Sequence, residues 1–231
     1  MMVSVIIPTY NERPNLEPLL SRLAAVRKAL GEPLEIIVVD DASPDGTADV
    51  AERFLAQWSL GRVVRRQGRR DLAGAVLDGV REARGDLLGV MDADLSHPPE
   101  RLPELVRAVR NGCDLAVASR YVAGGGVQGW RWHRRWLSHA ANVLVQPLTR
   151  VRDATSGYFV CEADMIRKTE WQLVGFKILL ELLASGRARQ IREIPYLFSD
   201  RRAGSSKLGA RPMWCYARQL IRLYAASARG Q

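Results

Sequence analysis

Short apolar runs alternate with amphipathic stretches along the first half of the chain. The runs are rich in valine, isoleucine and leucine, as in strands buried on both faces, and they predict strands over 3–8, 34–39, 62–65, 87–91 and 115–119. Apolar residues at helical spacing predict helices over 15–30, 47–57, 72–83 and 101–110. Strands and helices alternating in this way predict an α/β fold, with a mostly parallel sheet flanked by helices.

The second half of the chain is less regular. Three glycines at 124–126 indicate a loop before a basic and aromatic helix, which the pattern places over 130–148. The remaining segments are predicted as a turn over 153–158, a helix over 177–183, a strand over 191–198, a loop over 200–208 and a C-terminal amphipathic helix over 214–228.

Charge is distributed unevenly along the 231 residues, which carry a net charge of +9. Residues 1–115 contain 15 basic and 18 acidic side chains, whereas residues 116–231 contain 19 basic and 7 acidic. A nearly neutral half followed by a strongly basic one suggests an anionic partner, such as phosphate groups, nucleic acid or an acidic membrane surface. The hydrophobic fraction of 47% is close to the average of globular proteins, which argues against a disordered chain.

Cysteine usage and hydropathy limit where the protein works. Cys113, Cys161 and Cys215 are far apart and odd in number, which indicates a reducing compartment rather than a disulfide framework. The N-terminus lacks a basic region before its short apolar run, and no run approaches the ~20 apolar residues of a membrane span. We therefore expect neither a signal peptide nor a transmembrane helix.

Polar residues follow three of the predicted strands: residues 9–12, the pair Asp40 and Asp41, and the segment Asp92–Asp94. Each alone would be assigned to a surface turn. Together they converge on one edge of a parallel sheet, where ligands bind. Because residues i and i+2 of an extended segment point the same way, Asp92 and Asp94 can both face one Mg²⁺ or Mn²⁺ ion. Such a site, in a chain without a P-loop or a GxGxxG motif, suits a nucleotide-sugar enzyme.

The motifs make a resemblance visible. They are VSVIIPTYNE (3–12), IIVVDDASPDGT (36–47), MDADLSHPP (91–99), SRY (119–121), SxxAN (138–142), DATSGY (153–158), FKILLELL (176–183) and DRRAGSSKL (200–208). The sequence resembles family 2 inverting glycosyltransferases of GT-A fold, and among them the dolichol- or polyprenyl-phosphate mannosyltransferases. This resemblance implies a catalytic domain over 1–210, with a nucleotide-sugar half (1–120) and an acceptor half (121–210), followed by a C-terminal amphipathic helix over 211–231.

The resemblance also implies roles for individual residues. Nucleotide-sugar binding falls to Pro8, Tyr10, Glu12, Val39, Asp40, Asp41, Gly74, Asp92, Ala93, Asp94, Arg201 and Lys207. Metal binding falls to Asp92, Asp94 and Ser96, with Mg²⁺ or Mn²⁺ as cofactor. The acceptor phosphate would be held by Arg120, Arg134 and Ser138, and catalysis would depend on Asp94 and Arg120. A lipid monophosphate needs no histidine base, so we interpret His97 as a turn residue and His133 and His139 as helix surface.

The implied substrates are GDP-mannose and a polyprenyl or dolichyl phosphate. We expect the protein to bind peripherally to the cytoplasmic side of a membrane, directly or through a separate membrane-anchored subunit. A family 2 transferase that uses UDP-glucose or another donor is the alternative within this class. A nucleic-acid-binding protein is the remote alternative, because the basic half contains Trp130, Trp132 and Trp136. That alternative leaves the carboxylate clusters unexplained, since carboxylates repel phosphate backbones.

Overall fold

The computed structural model describes residues 2–68, 70–171, 177–199 and 210–229, with side chains in the last range at 214–226. The strands are β1 (Val3–Thr9), β2 (Leu34–Asp40), β3 (Gly61–Arg65), β4 (Leu87–Val90), β5 (Leu115–Ser119), β6 (Gly126–Val127), β7 (Phe159–Glu162), β8 (Ile191–Pro195) and β9 (Leu197–Phe198). The α-helices are α1 (Arg13–Leu30), α2 (Thr47–Trp58), α3 (Leu72–Glu82), α4 (Leu102–Arg110), α5 (Trp132–Val143), α6 (Ala163–Arg167), α7 (Ile178–Ala184) and α8 (Ala210–Arg229). A 3₁₀ turn over Pro99–Arg101 precedes α4.

Seven of these strands form one sheet in the order β3-β2-β1-β4-β7-β5-β8. Neighbouring strands are parallel except at β7, which runs antiparallel to both β4 and β5. The short strands β6 and β9 pair in a separate two-stranded sheet. The expected α/β fold with a mostly parallel sheet is therefore confirmed.

Both faces of the sheet are buried, because successive side chains of the central strands enter opposite cores. Val5 and Ile7 of β1 pack in one core with residues of α1, α2 and α4, whereas Ile6 packs in the other with residues of α3, α6, α7 and α8. Gly79 of α3 permits this packing, since a Cβ there would lie 2.5 Å from the Ile6 side chain. The continuous apolar runs of the sequence reflect this two-sided burial.

The structure departs from the sequence-based elements mainly in the second half. The strand β7 and the helix α6 were not predicted, because their short apolar runs carry no decisive period. The strand predicted over 191–198 is two strands in different sheets, divided at Tyr196. The helix predicted over 130–148 is regular only over Trp132–Val143, and turns continue to Leu148.

Helix α8 packs against the rest of the protein through one face. Leu220 and Leu223 are buried in the same core as α7, and the Gln219 side chain donates to the carbonyl of Lys177 at 3.1 Å. The hydroxyls of Tyr216 and Tyr224 donate to the carbonyls of Ala141 and Leu144, at 2.7 and 2.6 Å. These contacts join α8 to α5 and its C-terminal turn. Among the described residues, no helix combines the length and the apolar character that a bilayer crossing requires.

Candidate functional site

The carboxyl ends of β1, β2 and β4 lie side by side at one edge of the sheet. In the strand register Thr9 is opposite Asp40, and Ile6 is opposite Val90. The backbone amide of Asp41 donates to the carbonyl of Thr9 at 3.0 Å. The three polar segments that the sequence singles out therefore meet, as expected for a ligand site at a parallel sheet edge.

Asp40 is buried and holds the loop that follows β2. Its carboxylate accepts hydrogen bonds from the backbone amide and the hydroxyl of Ser43, at 2.8 and 2.6 Å. The hydroxyl of Thr9 donates to it as well, at 3.1 Å. These three bonds compensate its burial. Asp40 therefore stabilises the loop after β2, and its assignment to nucleotide binding stays a prediction.

Asp41 is paired with a residue that the sequence did not single out. The guanidinium of Arg66 contacts the Asp41 carboxylate and also bonds Asp78 at 2.7 Å, and the backbone amide of Asp71 donates to Asp41 at 2.9 Å. Burial opposes the charge of Arg66, but its bonds to Asp78 and Asp41 raise its pKa, so it stays ionised. A Cβ at Gly74 would lie 2.6 Å from this guanidinium. The glycine therefore makes room for Arg66.

The remaining nucleotide-site candidates from the first half differ in exposure. Tyr10 is partly exposed, and the Arg70 guanidinium lies 4.0 Å from the centre of its ring. Glu12 accepts a 2.8 Å bond from the side chain of Asn15. The side chains of Pro8, Val39 and Ala93 are buried, Val39 and Ala93 within the cores. Val39 thus contributes its side chain to the core, and its assignment to nucleotide binding stays a prediction.

Asp92 and Asp94 lie in the turn after β4 and differ strongly in environment. The Asp92 side chain is 38% exposed, whereas Asp94 is 3% exposed. Asp94 accepts bonds from the backbone amide of Ser96, at 3.1 Å, and from its hydroxyl. The Ser96 hydroxyl, expected as a third metal ligand, is thus turned toward Asp94. The Asp94 carboxylate is thus fixed by hydrogen bonds inside the turn, whereas the Asp92 side chain is partly exposed to solvent.

The donor set at this turn fits a hard divalent cation. Carboxylate oxygens are the ligands that Mg²⁺ and Mn²⁺ prefer, and one or two of them commonly suffice when substrate phosphates complete the coordination. A Cβ at Gly157 would lie 2.8 Å from the Asp92 carboxylate, so the glycine permits the close approach of this side chain. Within the described ranges, no group of three or more His, Cys, Asp or Glu residues could hold a metal ion alone. Oxygens of a bound substrate would have to contribute.

His97 lies in the turn after β4, as expected, and its side chain is buried. Its Nδ1 atom accepts the backbone N–H of Asp92 at 3.1 Å. The ring stacks on Tyr158 at 5.4 Å and meets the edges of Tyr196 and Phe198. Burial lowers the pKa of His97, and the negative charges of Asp92 and Asp94 oppose this shift. His133 and His139 are exposed on α5, as expected.

Arg120 follows β5 and forms a buried ion pair with Asp153, a residue to which the sequence gave no role. Its Nε and Nη2 atoms donate to the two carboxylate oxygens, at 2.8 and 2.6 Å. The side chains are 8% and 0% exposed. Burial opposes the charge of Arg120, but Asp153 raises its pKa, so the guanidinium stays ionised.

A polar network surrounds this ion pair. Arg120 also donates to the hydroxyl of Thr155 at 3.1 Å, and the Asn142 side chain of α5 donates to the same hydroxyl at 3.1 Å. The Lys177 ammonium donates to the Thr155 carbonyl at 2.8 Å. Burial lowers the pKa of Lys177, and the charge of Asp92 opposes this shift. The network joins β5, α5 and the start of α7.

The acceptor candidates on α5 lie beside Arg120. The hydroxyl of Tyr121 donates to the hydroxyl oxygen of Ser138 at 2.8 Å, which leaves the Ser138 proton available to a ligand. Arg134 precedes Ser138 by one helical turn, and its guanidinium lies 4.3 Å from the centre of the Trp130 ring. The Arg120 guanidinium lies 5.5 Å from the same ring. Trp130 therefore lies beside two of the three residues expected to bind the acceptor phosphate, Arg120 and Arg134.

Comparison with known proteins identifies the family. The sequence profile of Glycosyl transferase family 2 matches residues 4–170. The chain belongs to this family. Its fold is also that of glucosyl-3-phosphoglycerate synthase from Mycobacterium tuberculosis, crystallised with Mn²⁺ and UDP, with a TM-score of 0.70 and 19% identity over 97% of this chain and 79% of that one.

Within family 2, similar proteins are dolichol-phosphate mannosyltransferases. The one from Pyrococcus furiosus is 41% identical over 96% of this chain, which spans 64% of that relative. Those from Mycosarcoma maydis and Saccharomyces cerevisiae are each 36% identical over 96% of this chain, which spans 78% and 86% of them.

The contacts of several residues at this site could not be predicted from the sequence. Arg66 and Asp153 form ion pairs with distant residues, and the His97 ring packs against aromatic residues of distant segments, so no spacing rule could reveal these contacts. Asp153 lies in the quoted DATSGY motif, which was the available signal. Arg201 and Lys207, expected to bind the nucleotide sugar, lie outside the described residues. For the other site residues the structure gives positions and contacts, and their roles stay predictions.

The buried ion pair makes a stability prediction. Asp153→Asn should lower the free energy of unfolding by about 3–5 kcal/mol, because it leaves Arg120 buried without its counter-charge. Asp164→Asn is the matched control: its pair with Lys168 has exposures of 64% and 66%, and solvent screens it, so its loss should have little effect on stability. Urea unfolding at pH 7 measures both. Equal effects of the two substitutions would contradict the importance of the pair.

Proposed function

We propose that this protein transfers mannose from GDP-mannose to the phosphate of a dolichyl or other polyprenyl monophosphate, with inversion at the anomeric carbon. The observation that carries the proposal is the similarity to three dolichol-phosphate mannosyltransferases, each over 96% of this chain. The geometry supports it, because carboxylates suited to a metal–diphosphate complex and cations suited to a phosphate lie in one connected region.

In the proposed reaction an oxygen of the acceptor phosphate forms a bond to the anomeric carbon while the bond from that carbon to the donor diphosphate breaks. The second pKa of a phosphate monoester is about 6, so this oxygen is already ionised at neutral pH. No side chain has to remove a proton. The task of the protein is to position the two anions and to offset their charge.

Named residues can perform these tasks. Asp92 and Asp94 would hold Mg²⁺ or Mn²⁺, which when bound neutralises the charge of the departing diphosphate. Arg120 is fixed by Asp153 and can direct its remaining N–H groups at the acceptor phosphate. The Ser138 hydroxyl, oriented by Tyr121, can donate to the same phosphate. Asp41 and Tyr10 would contact the nucleoside.

A membrane location follows from the proposed acceptor, since a polyprenyl chain stays in the bilayer. The exposed faces of α5 and α8 offer a docking surface, defined here by Trp132, Trp136, Trp214 and Ile221, which are 80%, 69%, 65% and 69% exposed. Tryptophan is favoured at the membrane interface. Exposed Arg131, Arg135 and Arg218 on the same two segments add about 1 kcal/mol each near an anionic leaflet. We place this surface on the cytoplasmic face of the membrane, with direct or subunit-assisted docking.

A radiolabelled-sugar transfer assay tests the proposed function. GDP-mannose and polyprenyl phosphate should give labelled lipid with Mg²⁺ or Mn²⁺ and none with EDTA, whereas UDP-glucose should give little. Asp94→Asn should fold but lose at least ~100-fold in turnover, because the diphosphate would be poorly neutralised. Transfer only from a UDP-sugar would replace the donor assignment. Full activity in EDTA would contradict the metal role.

The acceptor site yields a second prediction. Arg134→Ala should raise the KM for polyprenyl phosphate by about 10-fold or more, with a smaller change in the KM for the donor, because a charge-assisted phosphate contact is lost. Arg131→Ala removes an exposed arginine three residues earlier and serves as the control. Steady-state kinetics with a short-chain lipid in detergent separate the two constants. An unchanged lipid KM would remove Arg134 from the acceptor site.

Vesicle flotation tests the docking surface. The protein should float with vesicles containing anionic lipid at low salt, and a Trp132→Ser and Trp136→Ser double variant should lose most of this binding. Trp58→Ser is the control, because Trp58 is 51% exposed on α2, outside the docking surface. Absence of wild-type binding, even with polyprenyl phosphate in the vesicles, would show that direct docking does not occur.

A further inference from the structure

The segment 91–97 forms a turn that is closed by two internal hydrogen bonds. At one end the backbone amide of Asp92 donates to Nδ1 of His97, at 3.1 Å. Near the other, the backbone amide of Ser96 donates to the Asp94 carboxylate at 3.1 Å. Because Nδ1 accepts a hydrogen bond, the proton of the neutral imidazole lies on Nε2. The tautomer is therefore set by the Asp92 backbone.

The backbone of this turn is strained and needs an anchor. Leu95 adopts a φ of 63°, in the left-handed region that residues with a Cβ rarely occupy. Such a conformation persists only where the surrounding structure holds it. His97 is one of the residues that anchor the turn in the interior, since its side chain is 2% exposed and lies among aromatic rings.

The anchor lies directly beside the metal candidate Asp92. A Cβ at Gly157 would lie 3.1 Å from Cε1 of His97 and 2.8 Å from Oδ2 of Asp92. The imidazole and the carboxylate thus flank the same glycine, and a displacement of the ring would move the Asp92 backbone with it. The aromatic rings around His97 come from the segment 156–158 and from β8–β9, so the anchor is independent of β4.

We propose that His97 is a positioning residue that fixes the aspartates of this turn for divalent cation binding by accepting the Asp92 amide hydrogen. This inference rests on the proposed function, which gives the two aspartates their metal. His97 contacts neither sugar nor phosphate in this role. It acts through the backbone of Asp92.

Two substitutions separate the hydrogen bond from the packing of the ring. His97→Phe keeps an aromatic ring of similar size but removes the acceptor. His97→Asn keeps an acceptor, because the asparagine Oδ1 occupies nearly the position of Nδ1, but removes the ring. A purely structural role for His97 would make metal affinity follow stability in both variants.

Binding of Mn²⁺, measured from the spin-resonance signal of the free ion with saturating GDP or UDP, is the deciding readout. His97→Phe should weaken Mn²⁺ binding by about 10-fold or more, the usual effect of losing such an outer contact, with a melting temperature near that of the wild type. His97→Asn should bind Mn²⁺ within about threefold of the wild type, even though its melting temperature falls.

Other outcomes overturn the proposal. Unchanged Mn²⁺ affinity in His97→Phe, or equal losses in both variants, would show that the hydrogen bond does not position the turn. If His97→Phe does not fold, the folded His97→Asn variant decides, since a loss beyond tenfold there would contradict the role of the acceptor. If the wild-type protein fails to bind Mn²⁺ both with GDP and with UDP, that result would instead contradict the proposed function. The two failures are thus distinguishable.

Discussion

The ion pair between Arg120 and Asp153 is the interaction on which the arrangement of the second half of the chain depends. Both charges are withdrawn from water, which is costly unless each is fully paired and hydrogen-bonded. The Asp153 carboxylate meets this requirement, because it accepts two hydrogen bonds from the Arg120 side chain and one from the Arg120 backbone amide, at 2.9 Å. Because Thr155 and Asn142 complete the network, the pair fixes β5, the segment 153–158 and α5 relative to one another. A guanidinium held in this way has few conformations left to lose when it binds an anion.

An aromatic cluster joins this cationic region to the carboxylates at the sheet edge. His97 packs against Tyr196 and Phe198, and the Arg120 guanidinium lies 5.6 Å from the Phe198 ring. The turn after β4 and Arg120 therefore contact the same group of buried rings. Charges beside buried rings are weakly screened, so fixed charges there act strongly on a bound ion.

The sequence predicted the central sheet well, because continuous apolar runs and helical spacing are local signals. It also placed Asp41, Asp92 and Asp94 at one edge, since parallel topology brings strand ends together. It did not predict β7, whose run of four residues is compatible with a helix or a strand. It gave no signal for the burial of His97, because burial depends on residues far away in the chain. Asp153 and Arg66 were missed for the same reason: their partners are 33 and 25 positions distant.

The proposed reaction offers a physical reason for the uneven distribution of charge between the two halves of the chain. In the proposed reaction a diphosphate and a monophosphate come together, so the protein would have to offset repulsion on both sides of the sugar. The carboxylates of the first half would act through a bound cation. The second half would supply fixed cations such as Arg120 and Arg134, and its low acidic content suits this role, because an unpaired carboxylate nearby would compete with the substrate for them. Asp153 fits this argument, since its side chain is fully buried and orients Arg120 instead of competing in solvent.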